Sequence, residues 1–161
     1  MTEITNSIRY LKEYRQLKDA IVAGQTPILG VGLSTIHKVH LAAALGLELK
    51  RTICVITEDD HMANRITSDL HGFSGEPILQ LPSRELILAN VTGASHAYEQ
   101  KRIAALDALS SVRFMTASIQ AILQRTLPPA VLQQAKITLQ PGQTISLSEL
   151  TQHLTQAGYE R

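Results

Sequence analysis

The chain opens on a helical stripe. Ile4, Ile8, Leu11, Leu17 and Ile21 share one face of a helix predicted over residues 3–23, while Lys12, Glu13, Arg15, Lys18 and Asp19 fall largely on the other. Gly24 reads as its C-cap. Residues 26–32, Thr-Pro-Ile-Leu-Gly-Val-Gly, form a short apolar run ending in glycines, the pattern of a buried strand entering a tight turn. A helix rich in Ala and Leu follows over 37–50. Residues 51–57 are apolar at consecutive positions, as in a parallel strand covered on both faces. Thr57 and Asp60 are spaced to cap the next helix, which runs to about Gly72, with Glu58 and Asp59 complementing its dipole.

Further strands are predicted at 77–81 and 112–116, with a long loop over 82–95 and a helix over 97–109 striped by Ile103, Leu106 and Leu109. A short helix over 118–124 is stopped by Pro128-Pro129. The texture then changes. Lys136-Ile137-Thr138-Leu139 alternates like a half-exposed strand, Pro141-Gly142 marks a turn, and Ser146 with Glu149 forms a capping box opening a helix to about Ala157. Strands alternating with helices predict an α/β fold, a three-layer parallel sheet of four or five strands. The divisions are an N-terminal helix (1–24), an α/β domain (25–134) and the start of a second α/β domain (135–161).

Composition narrows the function. The 161 residues are 44% hydrophobic, near the ordinary share for folded domains, which excludes a disordered chain. Fifteen Lys+Arg against 14 Asp+Glu leave a formal charge of +1, unlike a nucleic-acid coat, and aromatics at 4% argue against base stacking. The single Cys54 excludes an internal disulfide and a Cys-rich zinc site, and fits a reducing compartment. No apolar run approaches a membrane span and no signal peptide opens the chain, so the expected setting is the cytoplasm, with no membrane partner.

In open parallel sheets ligands sit at the carboxyl ends of strands, so the turn at Gly32-Leu33-Ser34-Thr35-Ile36-His37-Lys38-Val39 is the place to look for chemistry. A phosphate-binding P-loop reads G-x-x-x-x-G-K-[ST]. Gly32 and Lys38 fit, but His37 replaces the second glycine and Val39 the hydroxyl residue. The glycine lets backbone amides close around phosphates, and the hydroxyl holds Mg²⁺. Gly32, Ser34, Thr35 and Lys38 therefore form a degenerate P-loop, at best a weak anion site at a helix start and more simply a strand-to-helix turn with a solvated Lys.

The other candidates read as structural. His37, His40 and His61 lack the acidic or thiol companions of a zinc site, so no metal is expected. Glu58-Asp59-Asp60 suits a helix N-terminus better than Mg²⁺ or a ribose. Cys54 reads as a buried inert thiol and Ser118 as a helix cap, and no nucleophile elbow is present. Lys101, Arg102, Arg113 and Arg125 form no run. No catalytic residue is assigned.

Several stretches resemble, in order and spacing, the N-terminal UvrB-like module of the bacterial transcription-repair coupling factors (Mfd). They are the altered P-loop with Leu41-Ala42-Ala43-Ala44-Leu45, Val55-Ile56-Thr57-Glu58-Asp59, Leu81-Pro82-Ser83-Arg84-Glu85 and Gln100-Lys101-Arg102-Ile103-Ala104-Ala105-Leu106. Residues 115–125 with Leu127-Pro128-Pro129 are the most telling, and Leu139-Gln140-Pro141-Gly142-Gln143 and Ala157-Gly158-Tyr159-Glu160-Arg161 complete the series. The family's Trp and Pro-Tyr pair are missing from the loop after Leu81. The resemblance implies a decayed helicase-like α/β fold and a fragment of a longer protein. By the same resemblance, that parent would displace stalled RNA polymerase, recruit UvrA and move on DNA with ATP and Mg²⁺. The fragment itself would be a scaffold without catalysis or cofactor, stopping before the UvrA-contacting residues. The alternative is a small P-loop-derived nucleotide-binding enzyme.

Overall fold

A computed structural model describes residues 3–83, 97–156 and 159. The chain divides into two compact units, residues 1–124 and 125–161. The first contains α1 (Glu3–Ser7), α2 (Lys12–Val22), α3 (Thr35–Leu49), β1 (Ile53–Thr57), α4 (Asp60–Ser74), β2 (Ile78–Leu81), α5 (Ala97–Ala108), β3 (Phe114–Ser118) and α6 (Ile119–Leu123). The three strands are parallel in the order β1-β3-β2, with Ile53 and Ile78 both in register with Phe114. The molecule is α/β as expected, around a smaller sheet.

The strands alternate their side chains between two helical layers. On one face Phe114 packs with Val39 and Ala43 of α3 and Ile66 and Leu70 of α4, supported by Ile53, Val55 and Ile78. The Thr67 and Thr116 hydroxyls share a hydrogen bond of 2.6 Å there, so the polar threonine of the buried central strand is satisfied. On the other face Met115, Ala117 and Leu81 pack with Ala105 of α5 and Ala121 of α6.

The predicted N-terminal helix is broken. Helix α1 passes through a single 3₁₀ turn, Ile8–Tyr10, and α2 starts only after Leu11, whose backbone is extended. Tyr14, Ile8, Leu17 and Ile21 then pack on Ala44 and Leu45 of α3. Gly24 ends α2 with φ +72°, its amide bonding Ile21 O (3.2 Å) while Gln25 N bonds Ala20 O (2.9 Å). That pair of bonds is a Schellman closure, which needs a left-handed residue here.

Glu48 ties the same layer together. It accepts from the Tyr14 hydroxyl (2.6 Å) and Lys18 (2.8 Å), with Arg9 at 3.4 Å. The Lys18 hydrogen bond, then that of Tyr14, holds its carboxyl below the usual range. Desolvation and Glu48 push the Tyr14 hydroxyl up, so it stays a donor. A depressed folded-state pKa adds stability that is whole above the unfolded Glu value of about 4.3 and is lost as the pH falls through the folded value. The stability gap between the parent chain and Glu48→Gln should therefore shrink on acidification below about pH 4.3. Chemical unfolding at a series of pH values measures it, and a gap constant with pH would refute the assignment.

Three expectations are corrected here. Residues 25–34 contain no strand, and their side chains are exposed, Leu29 to 87% and Val31 to 78%. An apolar run becomes a strand only against a partner edge, and this one has none among the described residues. Among the described residues, strand β1 is covered on one face rather than both: Cys54 and Ile56 are exposed, because α5 and α6 pack over β2 and β3. Asp59, rather than Thr57, caps α4, accepting from Met62 N at 2.7 Å, while the Thr57 hydroxyl donates to Asp59 O.

The second unit contains α7 (Pro129–Ala135) and α8 (Leu147–Gln156). Pro129 starts a helix instead of merely stopping one, as the fixed φ of proline at a first helical position allows. The strand expected at 136–139 is absent, since no second strand lies beside it among the described residues. Gly142 makes the expected turn with φ +84°. No described helix is long and apolar enough to cross a membrane.

Candidate functional site

Gly32 takes φ +73°, a left-handed value that glycine adopts without strain. Ser34 stands at the N-cap of α3 in an extended conformation, but its hydroxyl meets His37 Nδ1 at 3.0 Å instead of a helix amide. Thr35 opens the helix and Lys38 N bonds Ser34 O at 3.1 Å. The loop from Gly32 to Lys38 is exposed along its length, and no strand precedes it among the described residues. Val39, at the hydroxyl position of the motif, is only 2% exposed and belongs to the α3–α4 core.

A cavity of about 250 Å³ lies between α3, α4 and the carboxyl end of β1. Thr35 and Lys38 line it with Thr57 and Glu58, over an apolar floor that includes Val39, Val55 and Met62. The fold thus brings together Thr35 and Lys38 of the predicted loop, and leaves Gly32 and Ser34 outside the cavity lining. Glu58 in the same lining as Lys38 brings a negative charge to a cavity whose cation would attract a phosphate.

A larger cavity, about 620 Å³, opens between the first turns of α4, strand β2 and α5. Asp60, His61, Asn64, Gln80, Tyr98 and Lys101 supply its polar wall. Lys101 Nζ stands 5.7 Å from the centre of the Tyr98 ring, a cation–π contact. Asp60 Oδ2 accepts from the Ser83 amide (3.0 Å) and hydroxyl (2.6 Å). Partial burial pushes its carboxyl up, but the Ser118 and Ser83 hydroxyls, the Ser83 amide and the Arg102 charge outweigh this and hold it below the usual range. Arg102 is itself buried and donates to Pro82 O (2.7 Å) and Ala121 O (2.9 Å). These bonds join the ends of β2, α4 and α6. The network was missed in the sequence, although Arg102 shares the helical stripe of Ala105, Leu106 and Leu109 and so was placed to turn inward.

The remaining candidates scatter. His40 stacks on Phe73 at 4.7 Å, away from His61 in the larger cavity. Among the described residues no group of three or more His, Cys, Asp or Glu is placed to hold a metal. Cys54 is exposed, against the expectation of a buried thiol, and partial desolvation raises its pKa, away from a nucleophile's. Ser118 caps α6 by accepting from Ala121 N at 3.1 Å, as its position suggested. Arg113 pairs with Glu76.

The curated relatives all carry one description. The chain is 27% identical over 165 residues to the transcription-repair-coupling factor of Bacillus subtilis, a match covering all of this chain and 14% of that protein. It is 24% identical to that of Staphylococcus aureus strain USA300, again over the whole chain, and 25% identical to that of Myxococcus xanthus over 92% of the chain. The chain thus spans about 14% of the length of the curated relatives it matches. No family model and no solved structure matches. At the level of the family, the resemblance read from the residues holds: the chain is related throughout to the transcription-repair coupling factors.

Proposed function

We propose that the chain is a non-catalytic interaction module of a transcription-repair coupling factor, built on a helicase-like α/β domain whose nucleotide site has decayed. The relatives along the whole chain support a role in coupling transcription to DNA repair. In this reading the parent protein displaces stalled RNA polymerase and recruits UvrA, using ATP and Mg²⁺ in other parts, while this module presents the adjoining UvrA-binding domain and binds no cofactor of its own. Gly32, Ser34, Thr35 and Lys38 are then the remnant of a phosphate loop. The observation that carries the proposal is the burial of Val39: the position that would offer a hydroxyl to Mg²⁺ is an apolar side chain locked into the α3–α4 core.

The second reading, a small nucleotide-binding enzyme, draws on Lys38, Thr35 and Glu58 meeting at one cavity. Calorimetry and a turnover assay with ATP–Mg²⁺ separate the two. The module is expected to show no saturable ATP–Mg²⁺ binding and no hydrolysis above buffer, with Lys38→Ala unchanged from the parent chain. Hydrolysis abolished by Lys38→Ala would establish the enzyme instead.

A further inference from the structure

We draw no further inference here: the strongest candidate, the cavity of about 620 Å³ between the first turns of α4, strand β2 and α5, carries nothing, because residues 84–96, which join β2 to α5 in the chain, lie outside the described residues and nothing in the structure shows what fills it.

Discussion

Phe114→Ala is expected to cost the first unit about 3–5 kcal/mol, the range for deleting a buried aromatic ring. Phe114 is fully buried at the start of the central strand and is the largest buried side chain in the cluster formed by α3, α4 and the sheet. Its ring lies against the backbone of α3 at Gly46. A Cβ on Gly46 would stand 2.5 Å from Phe114 Cε1 and 2.8 Å from Ile53 Cγ1. The helix therefore sits close to the sheet because Gly46 has no side chain, and the ring fills the space that glycine leaves. Gly46→Ala should lose stability by about 1–3 kcal/mol through overpacking, despite the better helix propensity of alanine. The two sites share one contact, so they should not be additive: Gly46→Ala/Phe114→Leu should be more stable than the sum of its single losses predicts. Urea unfolding of the parent chain, Phe114→Ala, Phe114→Leu, Gly46→Ala and the double variant measures this. A loss below about 1 kcal/mol for Phe114→Ala would show that the cluster collapses around the gap and that the ring does not set the helix–sheet distance.

Strands β1, β2 and β3 were recognisable because each is a short β-rich run between helical patterns, and such runs need only local information. The exposed run at Ile28–Val31 has the same local appearance, and its failure to pair depends on which edges the rest of the sheet offers. One-sided cover of β1 was hidden for a similar reason: consecutive apolar residues do not reveal that α5 reaches only β2 and β3. Asp59 and Thr57 both have capping chemistry, and the choice between them rested on two residues of helix register. Of the degenerate loop, Thr35 and Lys38 line one cavity because both lie on the first turn of α3, whereas Glu58 joins them through the fold, from the end of β1. The Asp60–Ser83–Arg102 network joins residues far apart in sequence, and only the stripe position of Arg102 hinted at it.

Arg102 is the basis of the second large expectation. Arg102→Leu should destabilise the first unit by about 3–5 kcal/mol, comparable to the loss of a core ring. Arg102 is 4% exposed and its guanidinium donates to the carbonyls of Pro82 and Ala121. Leucine can fill much of the volume but leaves both acceptors without that partner, and an unsatisfied buried acceptor carries a desolvation cost of about 1–3 kcal/mol. Arg102→Lys should fall between, because an ammonium keeps the charge but cannot fork between two carbonyls. The charge also reaches Asp60, which it helps to hold ionised. Removing it should raise the Asp60 pKa toward its ordinary value, an effect that a purely steric role for Arg102 would not produce. Urea unfolding with an NMR titration of Asp60 in the three proteins reads both effects. An Arg102→Leu variant within about 1 kcal/mol of the parent, with Asp60 unmoved, would mean that the buried guanidinium neither anchors the strand ends nor sets the charge in the larger cavity.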